Sequence, residues 1–358
     1  VRLAVVLVHY HTPELAAAAV AALRADLAGG GFETEWLLID NGSDERGKAL
    51  LDSLGIERID PGANLGYSGG VNLGVARSRS ELILLMNPDV LVLPGCVSAL
   101  AAALSGGAAV AGPRFWWDRG RRLLLPPADQ QGRRADLHAV LAAHGPRGAA
   151  RARRRWRRHA RRHWQAQGPL PSFALSGSLL AVRRDAWEKA GPFDEGFRLY
   201  FEETEWLRRI AARGLPAVYV PAAEAVHLHA QSSVREPRSQ QWFEESARRF
   251  RELSYGAWLT GLLENLDRRL PRAPQSPLAD VPAAGLDLAG LPFPLWIEVS
   301  PNAAGFPAAA ERLAAPPDGP WQLPSEIRER LPAGELILQI VDEGGRELDR
   351  RRLRLLPL

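Results

Sequence analysis

Apolar residues in the first part of this chain fall into short unbroken runs. Leu3–Val8, Trp36–Ile39, Leu82–Leu85 and Ala108–Ala111 each read as a strand buried on both faces. Between the first two, Pro13–Leu27 is an alanine-rich helix pattern that stops at Gly29-Gly30-Gly31. A second helix is expected to open near Gly70 and run through Val71 to Arg79. Strands alternating with helices predict a parallel sheet and an α/β domain. Leu179–Val182 and Ala217–Val220 continue as strands. Glu203–Arg213 reads as a helix with Trp206, Leu207, Ile210 and Ala211 on its apolar face and Gly214 as its stop. Residues 239–270 read as helical, with Trp242, Phe243, Phe250, Leu253 and Trp258 as packing residues.

The pattern breaks twice. Residues 113–170 have little strand character and read as a long insertion with helical pieces, counted within a first domain of residues 1–270. Pro271–Pro294 is a Pro/Ala-rich connector of low periodicity. Beyond it Leu295–Val299 alternates, and Glu335–Val341 and Leu348–Leu355 flank Asp342-Glu343-Gly344-Gly345 as a hairpin. Residues 295–358 therefore read as a small β-rich accessory domain, below the size at which a lone core is comfortable.

Composition narrows the class. The chain has 358 residues and is 46% hydrophobic, enough for two domains with a full-sized core. No stretch of eighteen apolar residues predicts a membrane-spanning helix. The start, Val1 to Val8, enters a strand pattern without a signal-peptide layout. One cysteine, Cys96, excludes an internal disulfide and fits a reducing, cytoplasmic setting.

The net charge of +4 is local in origin, because residues 147–163 hold nine arginines and no acid, leaving the remainder of the chain negative. This run could be a solvated helix face, or it could meet anionic lipid headgroups or a lipid-diphosphate acceptor. Trp156, Ala160 and Trp164 recur every fourth residue among the arginines, as in an interfacial helix, so an anionic membrane surface at 147–164 is one expectation. It would make the protein peripheral at the inner face of the cytoplasmic membrane. Nucleic acid is not expected, for no stacking platform or recognition motif accompanies the charge.

The candidate chemistry gathers where strands end. Leu82–Leu85 breaks into Asn87-Pro88-Asp89, which is good turn chemistry and also two oxygen side chains able to hold a hard cation and, through it, a diphosphate. Trp36–Ile39 ends in Asp40-Asn41-Gly42-Ser43, a turn or an acceptor for a base or ribose donor. Asn64 to Asn72 is rich in glycine at a helix start, where free N–H groups favour an anion. The first strand is followed by His9-Tyr10-His11-Thr12-Pro13 with no glycine, so a dinucleotide fingerprint is missing where it should stand. Glu202, Glu203 and Glu205 crowd one helix start, which suits a general base and is also ordinary N-terminal charge preference. His227-Leu228-His229 follows Pro221, where an imidazole could complete a metal shell.

In this order the pieces resemble the family 2 glycosyltransferases of the GT-A fold, the rhamnosyltransferase-like branch above all. The matching segments are the Val-Val-Leu-Val-His-Tyr-His start, Asp40-Asn41-Gly42-Ser43, Asn64 to Gly74, Asn87-Pro88-Asp89, Ser176-Gly177-Ser178, Phe193 to Arg209 and Pro221 to His227. Each is common alone, while their order and spacing together are specific. The resemblance covers roughly Val1 to Phe250.

The resemblance implies a GT-A domain with a mainly parallel central sheet and a transferase using a divalent metal, Mg²⁺ or Mn²⁺, with a dTDP- or UDP-sugar. By position Asp40 would contact the nucleotide base, and His9, Tyr10, Asn64, Gly70, Asn72 and Asn87 would belong to the nucleotide-sugar site. Asp89 would be the direct metal ligand and His227 a further one. Glu203 stands where the family usually has its catalytic aspartate, with Glu202 as the neighbouring alternative. His9 and His11 replace the family's usual asparagines.

The reaction implied is an inverting single displacement onto a hydroxyl of a glycan or lipid-linked acceptor, in bacterial-type envelope polysaccharide synthesis, with rhamnose as one candidate sugar. Two alternatives stand beside it: a catalytically weak glycan- or nucleotide-sugar-binding protein, and a scaffold acting through its β-domain.

Overall fold

The computed structural model describes residues 1–128, 131–228, 238–270 and 277–355; His229 lies outside them. The first part of the chain runs β1 (Arg2–His9), α1 (Pro13–Leu27), β2 (Glu33–Asp40), α2 (Glu45–Asp52), β3 (Glu57–Ile59), α3 (Gly66–Arg77), β4 (Leu82–Met86), β5 (Val90–Val92), α4 (Cys96–Ser105) and β6 (Val110–Trp116). The middle part runs α5 (Arg133–His144), α6 (Pro146–Trp164), β7 (Leu170–Pro171), β8 (Leu179–Arg183), α7 (Arg184–Ala190), α8 (Glu202–Ala212), β9 (Ala217–His227), α9 (Ser239–Tyr255) and α10 (Ala257–Arg269). The last part holds β10 (Ala279–Asp280), β11 (Leu295–Ser300), β12 (Ala309–Leu313), α11 (Ser325–Arg330), β13 (Gly334–Asp342) and β14 (Glu347–Leu355).

The chain forms two compact units, the first chiefly from Val1–Arg114 and Ala166–Thr260, the second from Phe115–Asp129, Arg133–Gln165 and Gly261–Leu358. The first is α/β. Its sheet has the order β3-β2-β1-β4-β8-β6-β9-β5. β3, β2, β1 and β4 are parallel, as the strand–helix alternation requires, and the sheet turns antiparallel where β8 joins β4. Val5, Val6 and Leu84 are fully buried, which explains why these strands read as unbroken apolar runs rather than alternations.

The helix after β3 starts at Gly66, four residues before the expected Gly70. A Cβ on Gly70 would stand 2.8 Å from Val8 Cγ1, and one on Gly74 2.5 Å from Val6 Cγ1. The glycine run thus lets α3 lie close against β1. β9 extends to His227, well past the expected end at Val220, with Pro221 inside the strand.

The second unit corrects the expected domain layout. Its sheet has the order β10-β14-β13-β11-β12. The arginine-rich segment belongs with this sheet, not with the first unit. Trp156 and Trp164 are 6% and 5% exposed and pack in one cluster with Leu124, Trp296, Ala310 and Val341. Trp164 stacks on Trp296 with ring centroids 5.4 Å apart. The stripe expected to meet lipid is therefore covered by protein. Arg157 is equally buried, donating through Nε to Glu298 at 2.8 and 2.9 Å and through Nη2 to Gln339 Oε1 at 3.0 Å. Nor is the 271–294 stretch a bare connector: Leu286 and Leu288 lie in the core with Leu123, Ile297 and Trp321. The small sheet becomes stable in size because the insertion supplies part of its core.

Candidate active site

All the strand ends that matter lie in the first unit. In the parallel register His9 pairs with Asp40 and Leu7 with Met86, so β1, β2 and β4 release their polar residues at one edge of the sheet.

At the β1–β2 end the side chains mainly hold one another. Asp40 Oδ1 accepts hydrogen bonds from Gly42 N at 3.2 Å, Ser43 N at 2.9 Å and Ser43 Oγ at 2.8 Å, while Arg58 Nη1 reaches its Oδ2 at 3.4 Å. His9 Nε2 lies 3.0 Å from Ser43 Oγ, and its Nδ1 lies 3.3 Å from Thr12 Oγ1. Asp40 and His9 are 1% and 0% exposed. Burial pushes the His9 imidazole down to about 4, so it is neutral at ordinary pH. These two residues, expected as nucleotide contacts, also hold the turn together. Tyr10 stays half-buried beside His11, its ring centroid 4.2 Å from that imidazole. An open hollow of about 200 Å³ adjoins the turn, lined by His11, Glu14, Ser43, Asp44 and Arg46 among others.

The α3 loop is also spent internally. Asn64 Oδ1 accepts from Gly66 N at 2.8 Å. Asn41 ties the two loops together by donating from Nδ2 to Gly66 O at 3.0 Å and accepting from Leu65 N at 3.3 Å. Gly70 is fully buried under Val8. Asn72 clamps the segment that leads into α8: its Nδ2 donates to Phe193 O at 3.0 Å and Glu195 Oε1 at 2.9 Å, and its Oδ1 accepts from Phe193 N at 2.9 Å. Asn64, Gly70 and Asn72, expected in the nucleotide-sugar site, also position this loop and helix. The cause is common to all three: short polar or absent side chains serve turns and close packing as well as ligands.

The remaining candidates converge on Ser176-Gly177-Ser178. Glu203 lies in the first turn of α8, its carboxyl receiving backbone N–H groups of Gly177, Thr204 and its own residue. A Cβ on Gly177 would lie 3.0 Å from Glu203 Cγ, a tight contact that the glycine avoids. One residue on, Ser178 Oγ lies 3.5 Å from His227 Nε2, and Ser178 O accepts from Asn87 N at 2.9 Å. His227 Nε2 is in turn 3.4 Å from Asp89 Oδ1. This contact follows from the sheet, where β5 pairs Val90 directly with His227.

Tyr67 stands between the two ends, donating its hydroxyl to Gly177 O at 2.9 Å. Burial, then the charges of Glu202, Glu203 and Asp89, raise its phenol well above the ordinary value. Tyr67, Gly177 and Ser178 were not among the expected site residues. Their signal lay in two matched segments, but nothing in the chain pattern shows that segments 110 residues apart meet.

Burial raises both α8 carboxyls above the usual range; for Glu202 burial is followed by the charge of Glu203. Glu202 is 5% exposed and its Oε2 has no hydrogen-bond partner. The helix start is strained, with Tyr200 and Phe201 both left-handed at φ 69° and 68°.

The residues fit a divalent cation held jointly with a substrate. Asp89 and His227 offer one carboxylate and one imidazole, and Asn87 Oδ1 is buried without a partner, an orphan that calls for a ligand. Among the described residues no group of three or more His, Cys, Asp and Glu side chains could hold a metal alone. A two-residue set is what a cation shared with phosphate oxygens requires.

The Glu203 carboxyl against Gly177, and Asp89 with His227 against the adjoining Ser178, form a polar cluster at the strand ends of an α/β sheet that suits group transfer. The family description "Glycosyl transferase family 2" matches residues 4–189, just over half of the 358 residues, and the chain belongs to that family. It is a glycosyltransferase, with the α/β GT-A fold and a separate C-terminal sheet.

It is 34% identical over 220 residues to the N-acetylglucosaminyl-diphospho-decaprenol L-rhamnosyltransferase of Mycobacterium tuberculosis, covering 57% of this chain and 69% of that one. A low-salt glycan biosynthesis hexosyltransferase, Agl10 of Haloferax volcanii, is 23% identical over 221 residues, covering 60% and 66%. Among solved structures, the mannosyltransferase PcManGT of Pyrobaculum calidifontis in complex with GDP-Man and Mn²⁺ matches with a TM-score of 0.43 and 13% identity over 74% of this chain and 73% of that one. S. aureus TarS 1–349 matches at 0.43 and 11% over 74% and 69%.

Proposed function

We propose that the first unit transfers a rhamnosyl group from a nucleotide-diphosphate donor to a hydroxyl of a lipid-linked glycan, with inversion at the anomeric carbon. The observation that carries this reading is the one-residue step from Gly177, against the Glu203 carboxyl, to Ser178, against His227 and its partner Asp89. A base at Gly177 and a diphosphate seat at the adjoining Ser178 would serve the two ends of a single displacement.

Asp89 and His227 would hold the cation, with Asn87 Oδ1 turned to the same group. A cation bound there supplies charge neutralisation to the leaving diphosphate. The chain's own residues do the rest. Glu203 takes the proton of the acceptor hydroxyl while that oxygen attacks the anomeric carbon, and its raised proton affinity makes it a stronger base once ionised. The Gly177 N–H fixes the carboxyl's direction. Burial raises the proton affinity of Glu202 beside it, which disfavours a second negative charge next to the base. Tyr10 and the hollow beside it stand at the nucleoside end. The relative's named acceptor and sugar, with 34% identity to this chain, support N-acetylglucosaminyl-diphospho-lipid as acceptor and rhamnose as sugar.

The test is incubation with dTDP-rhamnose, Mn²⁺ and a short-chain N-acetylglucosaminyl-diphospho-lipid, with the product's anomeric configuration read by NMR. A disaccharide of inverted configuration is expected. Retained configuration, or donor hydrolysis with no transfer to any hydroxyl acceptor, contradicts the reading.

A further inference from the structure

Among the described residues, helix α10 keeps an outward apolar face exposed. Its inner side is already packed, with Thr260 and Leu263 at 0% and 7% exposure. On the other side Trp258, Leu262 and Leu266 recur every fourth residue at 80%, 41% and 38% exposure, and Leu270 follows just beyond at 40%. The sequence pattern marks Trp258 as a packing residue, yet it is the most exposed large apolar side chain of the described residues. Arg268 and Arg269, both exposed, close the helix. Of its two acids, Glu264 is half-buried and Asp267 is engaged by His144 Nε2 of α5 at 3.0 Å. Helix α5 buries no residue and exposes Leu137 and Leu141, one turn apart, after the exposed Arg133 and Arg134.

An apolar stripe carrying an exposed tryptophan and bordered by arginines has the chemistry of an interfacial helix: indole and leucines enter the headgroup boundary and guanidiniums meet lipid phosphate. Exposed apolar rows of this kind are rare on faces that meet only water. We propose that the outward stripe of α10, with the basic–apolar face of α5 beside it, seats the protein on an anionic lipid bilayer. Charge complementarity selects the occupant, because the stripe's border is arginine. The role expected of α6 passes to α10, since the α6 indoles are inside the second unit. The inference does not depend on which sugar is transferred.

The test is co-sedimentation with vesicles containing phosphatidylglycerol or only phosphatidylcholine, at low and high salt, with light scattering of the protein alone. The unmodified protein is expected on the anionic vesicles at low salt. Trp258→Ser/Leu262→Ser/Leu266→Ser should weaken this binding at least 100-fold. Arg268→Gln/Arg269→Gln should weaken it about 30-fold on anionic vesicles, on the basis of ~1 kcal/mol per basic residue near such a surface. Both variants alter exposed side chains and should keep the melting temperature and dTDP-induced thermal shift of the parent; if the triple variant is misfolded, the arginine variant alone decides. An unmodified protein that stays in the supernatant at low salt overturns the proposal, as does vesicle binding indifferent to the variants. A vesicle-inert dimer abolished by the triple variant assigns the face to a second copy and equally overturns it.

Discussion

Glu202 and Glu203 are consecutive, yet the start of α8 gives them different surroundings. Glu203 is met by backbone N–H groups, whereas Glu202 Oε2 meets no donor. Both carboxyls are raised by burial, so each binds its proton more tightly in the folded chain than in the unfolded one. For Glu202 the sign follows directly. Below the ordinary glutamate value both states are protonated and its contribution is fully present; as pH rises toward the raised folded value the unfolded chain alone ionises, and stability is lost.

Glu202→Gln removes this loss. Its melting temperature relative to the parent should therefore rise between pH 5 and pH 8, by about 2–4 °C for each 1 kcal/mol relieved in a domain of this size. Calorimetry at both pH values checks it, and a variant-to-parent difference that is flat or falls with pH contradicts it. At this scale the chain pattern names residues that the fold brings near one another but does not separate ligand from scaffold. Asp89 meets His227, and Glu203 and His227 reach the adjoining Gly177 and Ser178, while Asp40, His9, Gly70 and Asn72 also hold loops, because Asp, Asn and Gly serve turns by the same hydrogen bonds and small size that serve a ligand.

Elements whose burial is set by their own neighbours in the chain were legible. β1, β2 and β4 read correctly because a strand covered on both faces must be apolar throughout, and α1 because Pro13 opens it and a glycine run closes it. Helix α3 began earlier than expected because a glycine-rich segment resembles a loop until its close contact with Val6 and Val8 is known. Helix α6 shows the limit most clearly. Its stripe of Trp156, Ala160 and Trp164 was visible, but periodicity reports only that a face is apolar. Whether lipid or protein covers it depended on Trp296 and Val341, more than 130 residues away. In α10 the same ambiguity runs the other way, with an apolar stripe left uncovered.

For the whole molecule, the discontinuous second unit changes what truncation does. Removing residues 271–358 strips the sheet from Trp156 and Trp164, each a side chain whose loss of packing costs about 3–5 kcal/mol. That protein should aggregate, although the chain pattern alone suggests a clean cut at a connector. Ending instead at Thr260 and replacing residues 115–165 with a short Gly/Ser linker should give a soluble first unit that still binds donor nucleotide. The linker can be short because Arg114 Nη2 donates to Ala166 O at 2.9 Å, so the cut ends lie together. Size-exclusion chromatography of the two proteins decides; a soluble monomer from the first cut, or aggregation of the second, contradicts the assignment of the insertion.

The central claim is a division of labour across Gly177 and Ser178, with Asp89 and His227 at the diphosphate and Glu203 at the acceptor. It is tested most directly by measuring dTDP affinity with and without Mn²⁺ together with single-turnover transfer, for the parent, Asp89→Ala and Glu203→Gln. Asp89→Ala should lose the Mn²⁺-dependent part of donor affinity. Glu203→Gln should keep that affinity and slow transfer by roughly 10²–10⁴-fold, the usual worth of a general base. Full Mn²⁺-dependent affinity in Asp89→Ala, or parental turnover in Glu203→Gln, would contradict the account.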